Sequence, residues 1–357
     1  MSFALCSLLT QGLIDAFTLV GTEEEKKTYL PKFNSGAWTG TMNLTEPQAG
    51  SDLSAVQTKA IRDGQHYRIK GQKIYITYGE HDLVGNIIHL VLARTPDAPA
   101  GTRGISLFVV PKFLVGPDGK IGERNEVNCL SLEHKLGIHA SPTAVMSYGD
   151  DKGAVGYLVG EENHGLAYMF TMMNEARVWV GGQGLSTTAA AMQGAAQYAR
   201  DRIQGRPIGM DKEKAKTASI IEHADVRRML MTMKAYTDAM RYMLYDNQLL
   251  IDLEYFSDNE EDKSFGEERC SILTPITKAW LSDVSVEMCN LAIQVYGGMG
   301  YVEETGIAQY LRDTRITPIY EGTNGIQALD LMFRKLPLDN CLLYTSPSPT
   351  RPERIWV

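Results

Sequence analysis

The stretch "VQTKAIRDGQHYRIKG", Val56 to Gly71, decides the middle of the fold. Apolar and polar residues alternate on both sides of Asp63-Gly64, which puts one side of each arm toward a core and the other toward water. An Asp-Gly pair between two such runs is the short-range signature of a hairpin turn. Downstream, "NIIHLVLAR" (Asn86 to Arg94) and "GISLFVVPKF" (Gly104 to Phe113) alternate in the same way, with Pro and Gly in the gaps. Strands at hairpin spacing from about Trp38 to Val159 predict an antiparallel barrel or sandwich.

On either side the period becomes helical. Leu8, Leu9, Leu13, Ile14 and Phe17 recur at helical spacing, and Thr22 before Glu23, Glu24 and Glu25 is an N-cap with an acidic first turn. After Glu162, "ENHGLAYMFTMMNEARVWVGGQG" places Leu166, Met169, Phe170, Met173 and Val180 on one face, in a helix running to about Ile203. Further helices fit 211–250, 270–296 and 323–336, which predicts a four-helix bundle. The polar run 254–269 reads as an exposed loop. The tail "CLLYTSPSPTRPERIWV" abandons the helical period for Ser-Pro repeats; it reads as a non-native segment after a natural end near Asn340.

Composition narrows the function classes. At 357 residues and 44% hydrophobic, the chain is long enough for two or three domains. A net charge of −8 argues against nucleic acid as the main partner. Five scattered cysteines, with no CxxC pair or Cys/His cluster, predict reduced cytoplasmic thiols rather than disulfides or zinc. No apolar run reaches membrane-span length, so the expectation is a soluble protein with no membrane partner. Neither HExxH nor GxSxG occurs, so no metal site and no nucleophile of those types is expected.

Several constellations stay open on residues alone. "TMNLTEPQAGSDLS" (Thr41 to Ser54) is dense in small and hydrogen-bonding residues and is either an Asx-type turn or a ligand-facing edge. "QVYGGMGY" (Gln294 to Tyr301) is either a helix C-cap or bare backbone meeting a pyrophosphate. "ARDRIQGRPIG" brings Arg200, Arg202 and Arg206 to a helix end, where the dipole favours cations and Arg forks also suit a diphosphate. Asn174 and Arg177 are three apart on one helical face, as an exposed pair or a grip on a ligand. In "PIYEGTNGIQ" (Pro318 to Gln327), apolar neighbours would desolvate Glu321 and strengthen it as a base. The bland alternative is a surface Glu beside a helix start.

Together "LTEPQAGSDL", "YGGMGY", "RDTRI" and "YEGTNGIQ" resemble, in that order and spacing, the acyl-CoA dehydrogenase family, from Thr22 to about Leu336. "KIYITYGEHD", "KLGIHASPT" and "DRIQGRP" look most like a long bacterial subgroup that includes 3-(methylthio)propanoyl-CoA dehydrogenase. The resemblance implies an α+β multidomain chain: an N-terminal helical remnant (1–36), an antiparallel β-barrel middle domain (37–160) and a C-terminal four-helix bundle (161–340), with 341–357 outside it.

It also implies roles. FAD would be met by Met42, Leu44, Thr45, Tyr75 and Thr77, while Arg202, Gln204, Gln294, Gly297 and Gly298 match the side that grips the FAD diphosphate and adenosine of a neighbouring subunit, and Thr323 and Gln327 match the end of that cradle. Ser51, Asn174 and Arg177 match positions that contact CoA. Glu321 stands where the family has its catalytic base, giving α,β-desaturation of an acyl-CoA thioester to a trans-2-enoyl-CoA. Implied partners are the acyl-CoA substrate, an electron-transfer flavoprotein and further copies of the chain, as a homodimer or homotetramer. Three departures stand out: "RIQGRP" lacks the usual Phe, the usual Trp before Ile-Thr is Tyr75, and most of the family's N-terminal helical domain and the long subgroup's extension after about Asn340 are missing, so the chain resembles a fragment of a longer member. Alternatives are an oxidase-like enzyme that uses oxygen and a catalytically silent flavin-binding fragment.

Overall fold

The computed structural model describes residues 2–209 and 217–339. The chain divides into two compact units, Met1–Ala176 and Arg177–Val357.

The first unit opens with α1 (Ala4–Val20) and α2 (Glu23–Asn34). The predicted cap forms: the Thr22 hydroxyl accepts from the Glu25 N–H at 3.2 Å, and the Glu25 carboxylate accepts from the Thr22 N–H at 2.8 Å. This reciprocal capping box satisfies two donors that a helix start otherwise leaves bare. Ten strands follow: β1 (Trp38–Asn43), β2 (Lys59–Asp63), β3 (His66–Thr77), β4 (Asn86–Ala93), β5 (Ser106–Pro111), β6 (Phe113–Val115), β7 (Ile121–Arg124), β8 (Val127–Leu132), β9 (Thr143–Tyr148) and β10 (Ala154–Leu158).

The hairpin signalled by Asp63-Gly64 joins β2 and β3. Asp63 pairs with His66, so the two turn residues are Gly64 and Gln65, one position later than the Asp-Gly signal. Gly64 has φ +64°, and Gln65 is not among the positive-φ residues, which is the glycine-first pattern of a type II′ turn.

The main sheet runs β1-β4-β5-β10-β3-β9-β8, with β2 beside β3. All its pairings are antiparallel except β1 with β4, which is parallel. β4 and β5 are buried on both faces, where a half-polar alternation was expected. Ile88, Leu90 and Leu92 join a core with Leu9, Leu13 and Phe17 of α1. Val91 and Ala93 point into a second core with Tyr67, Ile69 and Phe108. The strands therefore carry near-continuous apolar runs because helices cover one side and the sheet's own side chains fill the other. Each fully buried Leu or Ile contributes about 2 kcal/mol.

In the second unit, α3 (Gly165–Asp201), whose first turns belong to the first unit, continues to α4 (Ala224–Phe256), α5 (Glu260–Tyr296), α6 (Ile307–Thr314) and α7 (Asn324–Asp330). Leu185, Ala191 and Ala195 of α3 share a core with Met233 and Met240 of α4, and Leu281 and Met288 of α5. α4 and α5 run antiparallel: Asn247 reaches Thr277 and Tyr236 packs against Trp280. They cross closely at Gly266, where a Cβ would lie 2.5 Å from Leu250 O.

The run 254–269 is not a loop. α4 continues to Phe256 and α5 begins at Glu260, whose N-cap Asn259 accepts from the Glu261 N–H at 2.9 Å. Its acids are the first turn of an exposed helix, where the dipole favours them. The expected start of the helix near 211, the tail from Asn340 and Cys341 lie outside the described residues, but 217–223, expected within that helix, are not α-helical, and α4 begins only at Ala224. No described helix is long and apolar enough to cross a membrane.

Gly40 on β1 is where α1 presses on the sheet. A Cβ there would stand 2.2 Å from Leu13 Cδ2. Gly40→Val is expected to lower stability by about 1–3 kcal/mol through overpacking, read as a fall in midpoint by thermal or urea unfolding. An unchanged midpoint would mean that α1 does not seat there.

Candidate functional site

Glu321 sits in a turn between α6 and α7 in the left-handed region, with φ +54°. Holding a non-glycine residue there costs of order 1–3 kcal/mol and persists only where its surroundings over-determine it. The Gln327 amide donates to Glu321 O at 3.2 Å and to Gly322 O at 3.1 Å. The Thr323 hydroxyl caps α7 by accepting from the Ile326 N–H at 3.3 Å. Asn324 N donates to Pro318 O at 3.1 Å, closing the turn on itself. The Tyr320 hydroxyl bonds Gln183 Oε1 of α3. Thr323 and Gln327 thus hold the Glu321 turn, and Gln327 is almost wholly buried.

Glu321 is half-buried, and desolvation pushes its carboxyl above the ordinary range, while Arg177 and Lys278 pull the other way. Arg177, read with Asn174 as an exposed pair or a grip on a ligand, is buried at 2% exposure. Its Nη1 donates to Asp330 Oδ2 of α7 at 2.9 Å. Asn174 is half-buried on the same helix. Lys278 of α5 is wholly buried and donates to Asn324 Oδ1 at 2.8 Å. Sequence reasoning missed Lys278, Asp330 and Asn324. The available signal was a lone charge on an otherwise core-facing helical stripe, as in "TPITKAWL".

A second group in this unit gathers at the C-terminal ends of α3 and α5. Tyr198 and Tyr296 stack with centroids 4.1 Å apart, and the Tyr296 hydroxyl donates to Gly194 O at 3.3 Å. Arg202 and Gln204 lie just past the end of α3, and Gln294, Gly297 and Gly298 at the end of α5. All five are exposed. Gly297 has φ +60° and is the C-cap of α5, so the capping alternative holds for it. Gly298 has no positive φ and no atom within 4 Å of an added Cβ. Among the described residues, neither backbone conformation nor a close neighbour requires glycine at 298.

In the first unit, Met42 ends β1 in the core, Leu44 and Thr45 follow half-buried, and Tyr75 and Thr77 lie on β3. The two segments are stitched together: Ile74 N donates to Thr45 O at 2.9 Å, and Lys73 Nζ donates to Leu44 O at 3.0 Å. β3 bulges between Lys73 and Ile76, which leaves Tyr75 at φ +60° and 60% exposed. Bulges commonly re-aim a side chain beside a site. The hydroxyls of Thr45 and Thr77 have no hydrogen-bond partner among the described residues. Thr41, which offered a hydroxyl in the sequence, is wholly buried and bonded to His89 Nδ1 at 2.7 Å.

Ser51 is exposed, and Asp52 beside it accepts from the Ser54 N–H at 2.9 Å, as an Asx turn does. Beneath this loop lies a pair that sequence reasoning missed. Glu46 is 3% exposed and accepts from Lys73 Nζ at 2.7 Å, Thr58 Oγ1 at 2.6 Å and Gln57 N at 2.7 Å. Burial works against its charge, but Lys73 and these donors win and hold the carboxyl below the ordinary range. No group of three or more metal-type side chains converges among the described residues.

The sequence matches the acyl-CoA dehydrogenase middle domain over residues 41–150 and the acyl-CoA dehydrogenase C-terminal domain over residues 163–336. It is 53% identical over 340 residues to the 3-methylmercaptopropionyl-CoA dehydrogenase of Ruegeria pomeroyi, covering 95% of this chain and 57% of that one. It is 42% identical over 337 residues to a butyryl-CoA dehydrogenase of Syntrophomonas wolfei, covering 92% and 55%. The chain therefore spans little more than half the length of these relatives. Its structure is similar to that of an acyl-CoA dehydrogenase complexed with FAD from Bacillus anthracis, with a TM-score of 0.73, 27% identity and coverage of 88% and 51%.

The Arg177–Asp330 pair offers a stability test. Asp330→Asn leaves a buried guanidinium without its counter-charge, and a loss of about 3–5 kcal/mol is expected in chemical unfolding. A loss under about 1 kcal/mol would show that solvent reaches the pair and that it holds nothing.

Proposed function

The chain belongs to the acyl-CoA dehydrogenase family, and from that premise we propose that it binds FAD and desaturates an acyl-CoA thioester, with Glu321 as the base. The observation that carries this reading is the Glu321 turn. A carboxylate with raised proton affinity is held at strained backbone near two buried cations, beside its own N–H, which has no acceptor among the described residues. A structural surface Glu needs none of this.

The residues present fit the cofactor. Gly298 leaves bare backbone where neither conformation nor a close neighbour among the described residues asks for it, and the exposed Arg202 and Gln204 are donors for a diphosphate. The free hydroxyls of Thr45 and Thr77 and the outward Tyr75 suit a polar aromatic ring system. When bound, FAD supplies the acceptor for the hydride that leaves the substrate's β-carbon.

The chain supplies the rest. Glu321 takes the α-proton, which is too weakly acidic for a carboxylate in water. Its raised proton affinity strengthens it as a base, and the Glu321 N–H can donate to the thioester oxygen as negative charge develops there. Such a donor is typically worth about 3–4 kcal/mol. Ser51 and Asn174 are proposed to meet the CoA, whereas the buried Arg177 acts on Glu321 and Asp330. The relatives' names favour a short ester, 3-(methylthio)propanoyl-CoA first and butanoyl-CoA second. The further proposals are electron transfer to an electron-transfer flavoprotein, assembly as a homodimer or homotetramer, a cytoplasmic location, and domains at 1–36, 37–160 and 161–340.

Glu321→Gln is expected to retain FAD and lose about 10²–10⁴-fold in turnover with a dye acceptor. Normal turnover in that variant would sink the assignment. Because Glu321 must be ionised to act and its proton affinity is raised, kcat/KM should fall with decreasing pH before an ordinary carboxylate would titrate. Gly298→Val should lower FAD occupancy, read from the ratio of flavin to protein absorbance, with the apoprotein's unfolding midpoint unchanged. Full occupancy would remove Gly298 from the cradle.

A further inference from the structure

Two cations face Glu321, and they differ in what else they hold. Arg177 of α3 has a carboxylate of its own, Asp330, at 2.9 Å, with Arg334 at 3.6 Å on the far side of that carboxylate. Lys278 of α5 is equally buried, yet among the described residues it makes no ion pair within 4.0 Å. Its hydrogen bond goes to a neutral amide, Asn324 Oδ1. The orientation of that amide is forced. Asn324 Nδ2 lies within hydrogen-bond distance of three α5 acceptors that compete for its two protons, Asp283 Oδ1 at 2.7 Å, Ser282 Oγ at 3.0 Å and Ala279 O at 3.1 Å, so its oxygen faces Lys278, with Ser282 Oγ at 3.3 Å beside it.

We propose that Lys278, clamped to the Glu321 turn through Asn324, is a positioning residue for the base: it fixes the turn against α5 and supplies the uncommitted positive charge that keeps Glu321 ionised. The inference rests on the reading of Glu321 as the base and adds the residue that tunes it. A buried ammonium with no carboxylate at contact distance is costly and is retained where its charge acts on something nearby. The charged groups facing Glu321 are Arg177 and Lys278, with Tyr320 adjacent in the chain; those facing Lys278 are Glu321, Asp283 and Arg177. Burial pushes Lys278 down to about 8, against the pull of Glu321 and Asp283, so at neutral pH it is still charged. Removing that charge leaves Glu321 with an arginine already engaged by Asp330, and its proton affinity rises.

The test follows the Glu321 carboxyl in two ways: the acid limb of kcat/KM, and an infrared titration of the protein without substrate, in which Glu321→Gln identifies the band. Lys278→Met should move both upward by about one pH unit or more. Asn324→Asp, which sets an anion against the lysine, should move them in the same direction. Lys278→Arg, where it folds, should restore most of the limb. A Lys278→Met protein whose turnover falls evenly at all pH values, with limb and band unmoved, overturns the inference and leaves Lys278 a structural residue. If Lys278→Met does not fold, Asn324→Asp decides: a raised limb supports the inference and an unmoved one overturns it. A Glu321→Gln protein with normal turnover overturns the base assignment itself, and this inference with it.

Discussion

A half-buried carboxylate on strained backbone is the constraint to which the second unit answers. Burial raises the proton affinity of Glu321 against the pull of Arg177 and Lys278, and its backbone conformation is unfavourable for any residue with a Cβ. Contacts from three directions hold it there. α3 contributes Gln183 to Tyr320 and the Arg177 charge; α5 contributes Lys278, Ser282 and Asp283 through Asn324; α7 contributes the Thr323 cap and the Gln327 amide. The short α7 has little propensity to form alone. It forms because its first residue is bonded into α5 and its last, Asp330, is locked to Arg177.

The first unit solves a related problem by different means. The loop after β1 must hold the segment Leu44–Thr45 against β3 while leaving side-chain hydroxyls unbonded. Glu46 and Lys73 do this as a buried pair, with Thr58 and Gln57 satisfying the remaining carboxylate lone pairs. Breaking such a pair is far more damaging than never having had it, so the pair specifies one arrangement of loop and strand rather than merely adding stability. The bulge immediately after Lys73 then turns Tyr75 outward.

How much of this was legible depended on whether the signal was local. The Thr22 cap, the β2–β3 hairpin and the helical stripe of α1 were readable because a few adjacent residues determine them. The Glu321 corner was readable because Pro318, Tyr320, Gly322 and Thr323 surround it in sequence. Burial on both faces of β4 and β5 was not, since it depends on what packs against the sheet. The 254–269 run failed for the opposite reason: its polarity was local, but an exposed helix and a loop share that composition, and only the Asn259 cap tells them apart. Asp330, Lys278 and Lys73 find their partners 153, 46 and 27 residues away, a pairing that periodicity cannot show. Arg177 was seen as one of a pair on a helical face. Its spacing from Asn174 revealed the helix face and nothing of Asp330.

The most direct test of the central claim is an anaerobic absorption spectrum of the purified protein, recorded before and after adding 3-(methylthio)propanoyl-CoA and then butanoyl-CoA. The account predicts oxidised-flavin bands at the outset and their bleaching by substrate, with the faster ester marking the preferred acyl group. Bands that persist unchanged with both esters would contradict it: the protein would hold a flavin that Glu321 and its two cations do not put to use.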